Sequence, residues 1–155
     1  MTVTSARLHR ASAETAGVAF LEAIRDGELP PAPIATLLGF EIRSVEEGAV
    51  TFTLTPGEQH YNPIGMVHGG VAATLLDTVT GCAVHTLLPA GVGYTTLEIS
   101  VRYQRAITID TGTVVATGSV LHSGRRTATA EGRLVAEATG KLLATATSTL
   151  LIVTP

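Results

Sequence analysis

The chain has 155 residues, of which 45% are hydrophobic and 15% are charged, and its net charge is −3. This length allows one domain with a sizeable core, and the apolar share predicts that a second copy of the chain covers part of the surface. Ten Lys and Arg residues without a basic stripe argue against a nucleic-acid partner. The single cysteine, Cys82, excludes an internal disulfide. No apolar run has the length of a signal peptide or a membrane span, so we expect a cytoplasmic protein without a membrane partner.

The N-terminal region is predicted to form one helix over residues 13–26, where apolar side chains recur at helical spacing. Gly27 and the proline-rich residues 30–33 end that helix in a stiff turn. We therefore separate an N-terminal helix and turn, residues 1–33, from a main domain that covers residues 34–155.

Two strands and a long helix are predicted next. A short strand over residues 40–45 precedes a second strand over residues 50–54, in which apolar residues and threonines alternate. An apolar helix then begins at residues 68–70 and ends before Pro89. Its apolar side chains cover so much of the circumference that we expect it to be buried on most sides.

Four strand-like runs follow the helix. In the first, apolar residues from Leu97 to Tyr103 alternate with polar ones, which predicts that they share one face. Short glycine-containing turns predict that successive strands are antiparallel neighbours. An α+β fold follows, with a curved antiparallel sheet wrapped around the long helix. The runs cover residues 94–105, 113–122, 126–137 and 142–153.

Asp77 is a lone carboxylate in the middle of this apolar helix. Burying an acid is costly unless it is paired or used, and a desolvated carboxylate suits a general base or a nucleophile near neutral pH. The alternative is structural, because Asp77 would also be explained by a cap or by a pair with an arginine.

Gly69 and Gly70 open the same helix, where backbone N–H groups lack intrahelical partners and the helix dipole is positive. Such amides form an oxyanion site, although the glycines would also permit a tight loop-to-helix turn. Asp77 lies eight residues, or about 12 Å of helix, beyond Gly69, so the two groups of one chain cannot reach the same carbonyl. The catalytic interpretation therefore predicts a dimer in which Gly69 of one subunit faces Asp77 of the other.

The spacing of these residues forms the pattern N-x-x-G-x-x-H-G-G-x6-D. This pattern resembles the signature of the PaaI-type acyl-CoA thioesterases of the hotdog-fold superfamily, and the resemblance covers about residues 34–153. The residues that carry it are Asn62, Gly65, His68, Gly69, Gly70 and Asp77.

The resemblance implies a hotdog fold, with a six-stranded antiparallel sheet around the helix and an extra N-terminal helix. It also implies a homodimer, often assembled into a tetramer, that hydrolyses acyl-CoA thioesters (EC 3.1.2.-) at two shared sites without a cofactor. Asp77 matches the catalytic acid, which activates water or attacks the carbonyl itself. Gly69 matches the residue whose N–H polarises the thioester oxygen. Asn62 matches a polar group that orients substrate or water, and His68 the histidine at the helix entrance.

Related enzymes with Glu at the position of Asp77 carry a hydroxyl four residues later. Here that position is Gly81, so a water-positioning hydroxyl has to come from elsewhere, and Thr78, Thr80 and Thr95 are the candidates.

Further residues are candidates for substrate binding. Arg125 and Arg126 could hold the phosphates of coenzyme A, although a solvated turn explains them equally well. The histidines show no metal-ligand spacing, so we expect no metal site. The remaining substrate-binding candidates are Gly70, Tyr61, Thr95 and Thr96.

Two other functions compete with hydrolysis. A hotdog hydratase or dehydratase needs a histidine and an acid that converge on Cα and Cβ of an acyl thioester, and related dehydratases carry a different His motif. A non-catalytic acyl-CoA-binding domain would be favoured by loss of the central acid, but Asp77 is present.

Overall fold

The structure, a computed structural model, describes residues 3–154. Three helices precede the sheet, and a long fourth helix lies between its second and third strands. Within the described residues, no helix is both long enough and apolar enough to cross a bilayer. The helices are α1 Val3–Glu14, α2 Gly17–Arg25, α3 Pro33–Leu38 and α4 Gly69–His85.

The prediction of one helix over residues 13–26 is wrong, because the chain breaks between α1 and α2. Ala16 is extended, and the Gly17 N–H donates to the Leu88 carbonyl at 3.0 Å. A Cβ on Gly17 would lie 1.7 Å from the His85 carbonyl oxygen, so only glycine lets α2 start against the end of α4. The division of the chain after residue 33 stays a prediction.

Six antiparallel strands form one sheet in the order β1-β2-β4-β5-β6-β3. The α+β prediction of a six-stranded antiparallel sheet with a central helix is therefore confirmed. The strands are β1 Phe40–Glu46, β2 Ala49–Leu54, β3 Gly93–Tyr103, β4 Val114–Ser123, β5 Thr127–Ala136 and β6 Leu142–Val153.

Strand β3 departs from the prediction that successive strands are neighbours, since it pairs with β6 and not with β4. The connection from Tyr103 to Val114 is too long for a tight hairpin, and it carries the chain past β6 and β5 to the position of β4 between β2 and β5. As a result β3 is an edge strand.

The predicted alternation along β3 also fails at one point. The register with β6 shifts between Thr96 and Glu98, which is a bulge that turns Leu97 outward. Leu97 is 57% exposed and Tyr103 is 56% exposed, whereas Ile99 and Val101 are half-buried. This edge of the sheet therefore presents apolar side chains to the surface of the single chain.

Helix α4 packs across the sheet, as its apolar pattern predicts. It contacts β2 to β6, and Leu76, Val79 and Ala83 are fully buried. Gly118 of β4 permits this close approach, because a Cβ there would lie 2.1 Å from the Val79 carbonyl oxygen. The side of α4 that carries Asp77 is only partly covered.

Candidate active site

Asp77 lies in the third turn of α4 and is half-buried in the single chain. Thr96 of β3 donates a hydrogen bond from Oγ1 to Asp77 Oδ1 at 2.8 Å. Among residues 3–154, no Lys, Arg or His forms an ion pair with Asp77, so the structural alternative of an arginine pair does not apply. The second carboxylate oxygen, Oδ2, accepts no hydrogen bond from the described residues and is free for a water or a substrate.

The hydroxyl beside Asp77 is not one of the three that the sequence suggested. Thr78 donates to the Thr74 carbonyl, and Thr80 donates to carbonyls within α4 and bonds Ser148. Thr95 is exposed on β3. Thr96, one of the substrate-binding candidates, makes the contact, because the strand turns its side chain towards α4 just before the bulge.

Tyr94 explains why no hydroxyl stands at Gly81. A Cβ on Gly81 would lie 2.5 Å from the Tyr94 ring, so the ring fills that position. Burial raises the pKa of Cys82 to about 12; a hydrogen bond from Tyr94 opposes that shift and the charge of Asp77 adds to it. Burial, with smaller contributions from Cys82 and Asp77, also raises the pKa of Tyr94. Both groups are therefore neutral at physiological pH, and the thiol is unsuited to nucleophilic attack.

The start of α4 offers one free amide. His68 is the N-cap, and its Nδ1 accepts the Gly70 N–H at 2.9 Å, so that amide is already used. The Gly69 N–H makes no hydrogen bond within residues 3–154. The Tyr103 hydroxyl donates to the Gly69 carbonyl at 3.0 Å and holds β3 against this end of the helix. Of the two candidate glycines, Gly69 is the one with an available oxyanion donor.

Asn62 and Tyr61 shape the loop before α4. Asn62 Oδ1 accepts the N–H groups of Ile64 and Met66, at 3.1 and 3.2 Å. The Tyr61 hydroxyl accepts the Ile109 N–H at 2.8 Å. Because Asn62 Oδ1 is occupied, only its NH2 group is left to contact a substrate.

A cavity of about 270 Å³ lies at the start of α4, and Asn62, His68, Gly69 and Tyr103 line it. Asp77 does not line this cavity, as expected from the length of helix between them. One chain therefore does not bring Gly69 and Asp77 together.

The remaining candidates lie elsewhere. Arg125 and Arg126 are exposed between β4 and β5 and line neither this cavity nor a larger one beside the N-terminal helices. His60 is buried with both ring nitrogens bonded, Nδ1 to the Gly57 N–H and Nε2 to the Leu38 carbonyl. Its role is to fix the loop.

Comparison with known proteins identifies the family. The model of the Thioesterase superfamily matches residues 64–143, which include Gly69, Asp77 and Thr96. A curated protein of Halobacterium salinarum, described provisionally as an esterase, is 32% identical over 103 residues. That alignment covers 63% of this chain and 66% of the relative, so it spans just under two thirds of the relative's length.

Solved structures show the same fold. A phenylacetic acid degradation-related protein of Ralstonia eutropha is 29% identical with a TM-score of 0.76, and the match covers 84% of this chain and 98% of that one. A Streptococcus mutans protein solved with acetyl-CoA is 27% identical with a TM-score of 0.67, covering 74% and 89%. The PaaI protein of Escherichia coli, 24% identical with a TM-score of 0.75 over 90% and 96%, shares the fold. The chain therefore belongs to the Thioesterase superfamily, with the hotdog fold that its sequence predicts.

Proposed function

We propose that this chain hydrolyses acyl-CoA thioesters to a free acid and coenzyme A. Membership of the Thioesterase superfamily supports thioester hydrolysis, and the acetyl-CoA bound by the Streptococcus mutans relative supports coenzyme A as the carrier. The observation that carries the proposal is the Asp77 carboxylate, in which Oδ1 accepts a hydrogen bond from Thr96 and Oδ2 accepts none from residues 3–154. No cofactor is needed beyond the coenzyme A of the substrate.

Asp77 acts either as a base or as a nucleophile. As a base, its carboxylate takes a proton from water, and the water oxygen bonds to the thioester carbonyl carbon. The tetrahedral intermediate then collapses, the C–S bond breaks, and the coenzyme A sulfur leaves with the proton that Asp77 held. As a nucleophile, the Asp77 carboxylate bonds to the thioester carbon and the C–S bond breaks, which gives a mixed anhydride and the coenzyme A thiolate. Water then cleaves the anhydride, which releases the acid, restores the Asp77 carboxylate and supplies the proton that the thiolate takes up.

The oxyanion of either route requires a second subunit. The Gly69 N–H has no hydrogen-bond partner in the described part of the chain and lies at the positive end of α4, but Asp77 of the same chain is about 12 Å further along the helix. In the proposed homodimer, Gly69 of one subunit faces Asp77 of its partner, which gives two shared sites. The exposed apolar side chains of β3, Leu97 and Tyr103, supply surface for such contacts, and we propose a tetramer of two dimers.

The other predicted residues support this site. The free NH2 group of Asn62 orients the substrate or the water, and His68 positions the Gly69 amide by capping the helix. Arg125 and Arg126 are our candidates for the coenzyme A phosphates. We place the enzyme in the cytoplasm, a reducing compartment in which a free thiol such as that of Cys82 and the thiol of coenzyme A both stay reduced.

Thiol release tests the proposal. Purified protein is incubated with a panel of acyl-CoA esters, and free thiol and free acid are measured together. We expect equal amounts of both, and Asp77→Asn, which keeps the shape of the side chain, should lower turnover by at least about 100-fold. Hydration of an enoyl thioester without thiol release would replace the proposal with a hydratase. Tight acyl-CoA binding without turnover would indicate a binding domain.

A further inference from the structure

We propose that the cavity between the N-terminal helices and α4 is the acyl chamber of this site, and that it takes an uncharged apolar acyl group much larger than acetyl. This inference rests on the proposed thioester hydrolysis. It concerns the substrate class, and it is based on the cavity that the N-terminal helices form with the main domain.

The acyl chamber has a volume of about 640 Å³, whereas the cavity at the start of α4 has about 270 Å³. The larger volume falls in the range of about 300–1,000 Å³ that is typical of small-molecule sites. Helices α2 and α3 form one wall and strands β1 and β2 another. Its apolar lining includes Phe20, Leu21, Ile24, Phe40, Ile42 and Phe52.

The third wall connects the chamber to the proposed reaction centre. Thr78, which follows Asp77 directly, and Cys82, one turn further along α4, both line the chamber. Tyr94 lines it as well, and it lies on β3 two residues before Thr96. The charge of Asp77 contributes to the raised pKa values of Cys82 and Tyr94, so the carboxylate is close to this wall. An acyl group whose carbonyl is held at Asp77 therefore has the chamber beside it.

The charges around the chamber favour a neutral occupant. Arg25 reaches its rim, but its guanidinium pairs with the Asp26 carboxylate at 2.8 Å. His85 stacks on Phe20 with ring centroids 5.4 Å apart, and burial lowers its pKa, so it is neutral at physiological pH. An acyl group with a second carboxylate would find no unpaired cation among the described residues that line the chamber, whereas an apolar chain or ring would pack against apolar side chains.

The size of the chamber argues against acetyl as the preferred group. Apolar cavities stay poorly hydrated and take up apolar ligands readily. An acetyl group would leave most of the volume empty, whereas each added methylene gains contacts and changes kcat/KM by roughly tenfold or more in a fitted pocket. The chamber thus predicts a strong preference for longer acyl groups.

The test compares octanoyl-CoA, glutaryl-CoA and acetyl-CoA as substrates of the whole protein. We expect kcat/KM for octanoyl-CoA to exceed those for both others by at least about tenfold. Ile24→Trp, which fills the chamber from α2, should reduce the octanoyl-to-acetyl ratio by about tenfold or more. Leu37→Trp is the matched control, because Leu37 is 75% exposed on the neighbouring α3 and does not line the chamber. An unchanged ratio in folded Ile24→Trp, or equal rates for acetyl and octanoyl in the wild type, overturns the proposal.

Two further measurements keep the outcome clear. If Ile24→Trp does not fold, Ile24→Ala enlarges the chamber instead and should shift the preferred chain length upward, and an unchanged preference counts against the chamber. If no ester is cleaved at all, the proposal of thioester hydrolysis is wrong, and the acyl chamber is then tested by binding alone. Calorimetric binding of a non-hydrolysable octanoyl-CoA thioether then decides, since Ile24→Trp should weaken it at least about tenfold relative to Leu37→Trp. Equal binding by the two variants overturns the chamber.

Discussion

Thr96 fixes the position of one oxygen of Asp77, and the other accepts no hydrogen bond from the described residues. Oγ1 of Thr96 lies 2.8 Å from Asp77 Oδ1, and both groups belong to well-packed elements, α4 and β3. A hydrogen bond to a charged group contributes about 1.5–3 kcal/mol, which is a factor of roughly ten to one hundred in an equilibrium or a rate. In the proposed mechanism, Thr96 is therefore the positioning residue for Asp77, whether Asp77 acts as base or as nucleophile.

Removing this hydroxyl should slow turnover without unfolding the protein. Thr96→Val keeps the β-branched shape, so we expect kcat to fall by about tenfold to a hundredfold while KM changes little. Thr95→Val is the matched control, because Thr95 is the preceding residue of the same strand, is exposed, and is not the residue that bonds Asp77. Thr96→Ser, which restores the hydroxyl, should recover most of the loss. Equal kcat values for Thr96→Val and Thr95→Val would show that the hydrogen bond does not matter for catalysis.

Among the elements, those with a continuous pattern were predictable from the sequence, and those that depend on a single tertiary contact were not. Helix α4 runs from Gly69 to His85 because its apolar pattern is uninterrupted and Pro89 follows. The break before Gly17 arises from its packing on His85, which no local pattern reveals. The same holds for the bulge before Glu98, which decides that Thr96 and not Thr95 faces Asp77.

The contact between α2 and α4 gives stability a pH dependence. His85 is mostly buried against Phe20 and Tyr94, and this burial lowers its pKa from the ordinary value of 6.5. The unfolded chain therefore binds a proton at His85 more readily than the folded one does, so stability falls as the pH drops below about 6.5 and is fully present above it. His85→Phe keeps the stacked ring but cannot be protonated.

We expect the melting temperature of His85→Phe to fall less than that of the wild type between pH 7.5 and pH 5.5. Thermal unfolding followed by circular dichroism at the two pH values measures this difference. His122→Phe is the control, since His122 is exposed at the end of β4 and should leave the wild-type pH dependence unchanged. An identical drop in His85→Phe and the wild type would contradict the assignment of this titration to His85.

For the whole molecule, the decisive feature is that the two groups of the proposed reaction lie at separate places on one helix. The Gly69 amide opens α4, whereas Asp77 is two turns further on and faces Thr96. Each chain thus contributes its Gly69 amide to one proposed site and its Asp77 carboxylate to another. A dimer with closed two-fold symmetry would complete both sites at once. The proposed dimer would account for both the apolar edge of β3 and the high apolar share of the sequence.

Mixed dimers test this arrangement directly. Asp77→Asn removes the carboxylate. Gly69→Val obstructs the oxyanion position, since a Cβ at residue 69 would already lie 3.3 Å from the Tyr103 ring. Each variant alone should be inactive, but a dimer of one with the other retains one site with both groups intact. After equal mixing and subunit exchange, thiol release should recover to about one quarter of the wild-type rate, because half of the dimers are mixed and each has one working site. If exchange is demonstrated by mass spectrometry and no activity returns, Gly69 and Asp77 do not act across a subunit boundary.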